Sequence, residues 1–160
     1  MSQLDLLIRG ANVIDGTASP MRRMNVGVRD GRIVTDVEDD APTKETLDAE
    51  GLMLTPGFVD PHTHYDAQLC WDPTASPSNL HGVTTVIGGN CGFSIAPLGD
   101  DDADYTRRMM SVVEGMPLEA LENGIDWSWT SFGVWLAKLV ARTAVNAVFP
   151  GGLCAICLSC

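Results

Sequence analysis

Positive charge is scarce in this sequence. Ten lysines and arginines stand against 21 aspartates and glutamates in 160 residues, a formal net charge of −11 at pH 7. Nucleic-acid binding is dominated by Lys and Arg on phosphates, and an anionic membrane surface attracts basic segments, so neither partner suits this balance. Long apolar runs are lacking too. The best stretch, Phe132 to Phe149, is interrupted by Lys138 and Arg142, and a spanning helix needs roughly 18 or more apolar residues. The opening MSQLDLLIRG has no basic leader, and Asp5 and Arg9 break its apolar residues, unlike a secretory signal. The five cysteines are an odd number with no secretory context, which speaks against a disulfide framework. These absences point to a soluble, cytoplasmic protein with no nucleic-acid or membrane partner. The hydrophobic fraction of 45% is enough for a core. The length suits one domain, or a small domain with part of a larger one.

Residues 4–56 read as short strands and turns. LDLLIRGANVID suggests a strand, a break at Gly10 and a second strand. MNVGVRDGRIVTDV holds two β-rich runs around Asp30-Gly31, a dipeptide suited to a type I′ hairpin turn. EDDAPTKET reads as a polar loop, and LDAEGLMLTPGF returns to strand character. After Phe58 the rhythm changes. FVDPHTH reads as a buried strand, WDPTASPSNLHG as loop with a short helix, and VTTVIGG as a strand covered on both faces. The acid runs EDD (38–40) and DDDAD (100–104) read as solvated loop. ADYTRRMMSVVEGM and SFGVWLAKLVA read as helices; in the second, Phe132, Trp135, Leu136 and Leu139 share one face, and Thr130 or Ser131 can cap it. TAVNAVF completes a third strand. Buried strands alternating with helices indicate a parallel α/β architecture. Trp127, Trp129 and Trp135 read as packing or lid residues.

Histidine is rare, with three residues in all, yet two of them fall in LTPGFVDPHTHYD. In a strand, residues i and i+2 point to one face, so His62 and His64 project together, roughly 6–7 Å apart at Cα. Two imidazoles so placed can converge on one ion. The competing interpretation is a pair of surface residues in the turn after Pro61. Position favours the metal, because the pair ends an apolar strand, the end where β/α barrels build their sites. Asp60 and Asp66 share the histidines' face only if the strand stays regular through Pro61; either then suits the orientation of an imidazole N–H. Cys91 ends the next buried strand among glycines, in VTTVIGGNCGFS. It is either a ligand on the same rim or a small buried thiol. His81 precedes its strand, at the end away from that rim.

These residues carry a resemblance. TPGFVDPHTHYD resembles the first-strand signature of the amidohydrolase superfamily, and HGVTTVIGGNCGFSIAPL, with Gly-Asn-Cys-Gly after GVTTV, resembles its D-aminoacylase (N-acyl-D-amino-acid deacylase) branch. DLLIRGANVIDGT and NVGVRDGRI resemble the start of that branch's small β-sandwich. The likeness runs from about Leu4 to about Ala147. It implies a β-sandwich portion at 1–56 and the first strands and helices of a (β/α)8 barrel at 57–149. It implies zinc, one or two ions, with His62, His64 and Cys91 as ligands, Cys91 standing where many relatives use a lysine carboxylate. Asp66 matches a family carboxylate near the site, and Asp60, Asp66 and Asn90 are candidates for supporting the ligands or meeting substrate. The implied reaction is hydrolysis of the amide bond of small N-acyl-D-amino acids.

The resemblance also implies two further histidine ligands and a general-base aspartate from later strands, which this sequence does not contain. VFPGGLCAICLSC resembles nothing in the family, and a truncated or frame-shifted product with an aberrant tail at 150–160 is the expectation. Cys154, Cys157 and Cys160 lack a fourth ligand nearby for a zinc or iron–sulfur site, and CLSC fits a prenylation box only formally. A barrel of three strands leaves open edges, so activity of this chain alone is expected to be impaired. The rival functions are a cyclic-amide hydrolase of the dihydroorotase or hydantoinase kind, which favours a later lysine over Cys91, and an inactive fragment or interaction module.

Overall fold

The structure, a computed structural model, describes residues 3–99 and 101–151. The cysteine-rich tail with Cys154, Cys157 and Cys160 lies outside the described residues. The chain divides into two compact units, Met1–Pro56 and Gly57–Cys160.

The first unit is a five-stranded sheet of β1 (Leu4–Val13), β2 (Arg22–Arg29), β3 (Arg32–Val34), β4 (Thr43–Asp48) and β5 (Met53–Leu54). The order is β3-β2-β1-β4, with β5 also on β1. The first three strands pair antiparallel, whereas β4 and β5 run parallel to β1. The hairpin forms where Asp30-Gly31 predicts it. Arg29 pairs with Arg32, and Asp30 and Gly31 have φ of 51° and 70°, the double positive φ of a type I′ turn. A Cβ on Gly31 would meet nothing within 4 Å, so Gly31→Ala adds backbone strain without a clash. The expected loss is about 1–2 kcal/mol, read from the urea midpoint of this unit.

Two stretches differ from the sequence pattern. β1 is one continuous strand, because Gly10 forms a bulge and not a break. The β1–β2 register shifts between Ile8 and Ala11, Gly10 takes φ 73°, and its N–H donates to Asn25 Oδ1 at 2.9 Å. The second is EDDAPTKET, which enters β4 at Thr43 and is not all loop. Its side chains are mostly exposed, so it shows no apolar alternation; backbone pairing with β1 holds it.

The second unit alternates strand and helix. β6 (Phe58–Thr63), β7 (Val83–Gly88) and β8 (Asn146–Val148) form a parallel sheet in the order β6-β7-β8. α1 (Tyr65–Gln68) and a 3-10 turn at Ser78–His81 connect the first two; α2 (Asp102–Val113), α3 (Leu118–Gly124) and α4 (Phe132–Leu139) connect the last two. The architecture is mixed α/β. Its core gathers Val86, Ile95, Met110, Leu121, Trp129 and Trp135, all at most 2% exposed. α4 matches its pattern: Trp135 and Leu139 are buried, and Ser131 Oγ accepts from Val134 N at 3.3 Å. The acid run at 100–104 is only partly loop. Asp102 opens α2, and its Oδ2 accepts from Gly99 N at 3.0 Å. β6 departs most: Phe58 and Val59 are 60% and 58% exposed, where the apolar run suggests burial. Among the described residues, no helix is long and apolar enough to cross a membrane.

Candidate metal centre

The C-terminal ends of β6 and β7 lie side by side in the parallel sheet, with Thr63 paired to Gly88. Between the Asp60–Val86 and Thr63–Gly88 pairs, β6 spends three steps against two on β7. Pro61 lies in this irregularity, so the strand is not regular where the histidines' neighbours would have to share a face. Asp60 and Asp66 separate as a result. Asp60 stays beside the bulge, where Oδ1 accepts from the His62 N–H at 3.2 Å. Asp66 enters α1 and is 2% exposed. Thr63 faces away from the histidines, and its hydroxyl donates to Ile87 O at 3.0 Å.

His62 is exposed on β6, and His64 is the half-buried N-cap of α1. Their ring centroids are 5.4 Å apart. Cys91 sits in the turn after β7, closed by a hydrogen bond from Gly92 N to Gly89 O at 3.1 Å. Asn90 Nδ2 donates to Pro61 O at 3.0 Å and ties that turn to the bulge. One potential ligand atom from each of His62, His64 and Cys91 lies within 4.8 Å of the others. Cys91 Sγ is 3.7 Å from His64 Nδ1. Zinc–sulfur and zinc–nitrogen bonds of about 2.3 and 2.05 Å at a tetrahedral angle set sulfur and nitrogen about 3.6 Å apart, so the donor set and its spacing suit that ion.

Two carboxylates stand behind these groups. Asp66 Oδ1 is buried with no hydrogen-bond partner, and burial pushes its carboxyl from 3.8 up to about 6. An acid raised in the fold lowers stability as pH climbs between its unfolded and folded values. In the metal-free chain, Asp66→Asn is therefore expected to change little below about pH 4 and to add on the order of 3 kcal/mol above about pH 7. Urea unfolding at both pH values measures the difference. The other carboxylate is Glu114, which follows α2 as its C-cap. Its side chain is 8% exposed, and Oε1 lies 2.7 Å from His64 Nδ1. Sequence reasoning passes over it: it is one of 21 acidic residues, in a different element from the histidine pair. Cys70, also a free thiol, is outside the cluster, and burial pushes it up to about 11.

Metal-type donors gathered on adjoining strand ends of a parallel β–α unit are the arrangement of a candidate metal site in an α/β fold. The chain belongs to the amidohydrolase family, whose model matches residues 45–157. It is 39% identical over 150 residues to the N-acyl-D-aspartate deacylase of Alcaligenes xylosoxydans xylosoxydans, covering 93% of this chain and 28% of that protein. It is 38% identical over 146 residues to the D-aminoacylase of the same organism, covering 89% and 28%. Among solved structures, the N-acyl-D-glutamate deacylase of Bordetella bronchiseptica, complexed with zinc and a phosphonate inhibitor, superposes with a TM-score of 0.78. It is 32% identical, over 99% of this chain and 31% of that one. A D-aminoacylase described with a binuclear metal centre gives a TM-score of 0.77 at 34% identity, over 98% and 31%. The chain thus spans about three-tenths of the length of these relatives, and its mixed α/β fold matches their N-terminal region.

Proposed function

We propose that this chain carries the first part of the metal centre of a zinc-dependent deacylase that hydrolyses the amide bond of N-acyl-D-amino acids. The observation that carries this is the approach of His62, His64 and Cys91 ligand atoms to within 4.8 Å of one another. The deacylase relatives supply the substrate class. His62, His64 and Cys91 hold zinc, one ion or two. Bound there, zinc supplies a Lewis acid for the scissile carbonyl and a water reactive near neutral pH.

The chain's own residues prepare that position. Cys91, as thiolate, offsets part of the dication's charge. Asn90 fixes the cysteine turn against the Pro61 carbonyl, and Asp60 holds the His62 backbone. No group of this chain is assigned as general base. That role and the two further histidine ligands that the resemblance implies are not assigned to residues of this chain. The finer architecture follows: residues 1–56 form part of a β-sandwich, and 57–149 begin a (β/α)8 barrel with the cluster at its C-terminal strand ends. The setting is cytoplasmic, which keeps Cys91 reduced for metal.

The test measures zinc content and hydrolysis of N-acetyl-D-amino acids by this chain and by one extended with the later strands of the D-aminoacylase relatives. Zinc in both, with D-selective hydrolysis by the extended chain alone, is the expected result. No zinc in the wild type, or an extended chain that opens cyclic amides and spares N-acyl-D-amino acids, overturns it.

A further inference from the structure

The turn that delivers Cys91 has little of its own to hold it. It opens on Gly89 and closes on Gly92, with φ of 75° and 94°, and glycine loses more freedom on being fixed than any other residue. A loop fixed beforehand binds more tightly, because that cost is not met when the ligand arrives. On the β6 side, Asn90 Nδ2 ties the turn to Pro61 O at 3.0 Å. On the other side runs the chain that leaves β8. Ile87 pairs with Val148 in the parallel ladder, so Phe149 and Pro150 continue beside Gly88 and Gly89. The approach there leaves no room for a side chain. A Cβ on Gly88 would overlap the Phe149 ring, and one on Gly89 would lie 2.6 Å from Pro150 O. Phe149 is 8% exposed and meets the Trp135 ring edge-on, with centroids 4.8 Å apart.

We propose that Phe149-Pro150 positions Cys91, as a brace seated on Gly88 and Gly89 that holds the cysteine turn against the histidine pair. This rests on the assignment of Cys91 as a ligand. Each step of the brace is a packed contact. Trp135 anchors the Phe149 ring in the core. The next residue is a proline, whose ring fixes its φ and stiffens the chain there. Its carbonyl backs Gly89, and the Gly89 carbonyl accepts the Gly92 N–H at 3.1 Å and closes the turn. Asn90 holds the turn from β6 while Pro150 backs it from β8, and the Cys91 sulfur stands 3.7 Å from His64 Nδ1. Two successive glycines weaken a strand end; what they admit here is the close approach of the brace. Groups that support a metal ligand from behind set its orientation and affect affinity nearly as the ligand does.

Two measurements test this. The first is made without metal: amide hydrogen exchange followed by NMR. The Gly92 N–H is expected to be protected in the wild type and to lose that protection in Gly89→Ala. A Gly92 amide that exchanges at open-loop rates in the wild type overturns the proposal, and this readout stands even if Gly89→Ala fails to fold. The second is zinc affinity by chelator competition, with Cys154, Cys157 and Cys160 changed to Ser. Gly89→Ala, which sets a methyl against Pro150 O, is expected to weaken binding by about 10–100-fold. Phe149→Leu keeps an apolar anchor but draws it back from Gly88, and is expected to weaken binding by a smaller factor. Gly92→Ala is the control: it carries the same kind of positive-φ strain, but its Cβ meets nothing within 4 Å, so its affinity is expected to stay near that of wild type. Equal affinity in wild type, Gly89→Ala and Phe149→Leu, or equal losses in Gly89→Ala and Gly92→Ala, overturns the brace. A wild type that binds no zinc removes the ligand assignment instead, while the exchange result still judges the brace on its own.

Discussion

Cys91→Ala is expected to lower zinc affinity by a factor of about 10²–10³ without unfolding the chain. Structural zinc sites contribute about 10–16 kcal/mol over four ligands, or about 2.5–4 kcal/mol each. Cys91 lies in a turn outside the core cluster, so its loss removes a donor and little packing. Competition against a chromophoric chelator gives the affinity. Cobalt substitution gives a second signature, since the sulfur-to-cobalt charge-transfer band requires the thiolate. Both belong in a background with Cys154, Cys157 and Cys160 changed to Ser, so that Cys70 and Cys91 are the thiols counted. Cys70→Ala is the control. Burial holds Cys70 as a neutral thiol, up to about 11, and it is not among the converging donors. An unchanged affinity in Cys91→Ala removes the cysteine from the metal centre.

Trp135→Ala is expected to destabilise the second unit by about 3–5 kcal/mol, a large share of the roughly 5–15 kcal/mol that holds a typical domain. Trp135 is fully buried on α4. Its ring lies 4.8 Å from that of Phe149 in an edge-on contact and 5.5 Å from that of Phe132. Truncation thus leaves a cavity between a helix and the segment that follows β8. Val134, the preceding residue, is 48% exposed, and Val134→Ala should fall within about 0.5 kcal/mol of wild type. Urea midpoints of the two variants separate the outcomes. Similar midpoints mean that the tryptophan side of α4 is not the packed side.

The parts legible in the sequence are those with short-range causes. Asp30-Gly31 announces its hairpin because few residues accept two successive positive φ values. The apolar spacing from Phe132 to Leu139 fixes the packed face of α4. The three converging donors were readable because H-x-H and Gly-Asn-Cys-Gly each close a β-branched or apolar strand. What escaped has long-range causes. Glu114 gains its meaning from a ring fifty positions earlier, and nothing in VVEGM marks it. Burial of Asp66 depends on how the chain leaves the Pro61 bulge. β4 escaped because its exposed residues carry no alternation. α3 is a seven-residue helix with one buried side chain, Leu121, too short for a periodic pattern. The exposure of Phe58 and Val59 shows another limit: an apolar run records which neighbours a strand favours, not whether they lie within these residues.

The outermost strands of the first sheet have a further consequence. β3 is three residues long, and β4 carries Lys44 and Glu45 along an exposed face. Another polypeptide seeking to zip onto this sheet finds one rail too short and the other studded with charge. In the second sheet, β6 is also outermost, and there Pro61 withholds an amide from any newcomer. Fibrillar self-templating is thereby discouraged on those rims, and the uncovered ring of Phe58 is left as the stickier hazard during refolding.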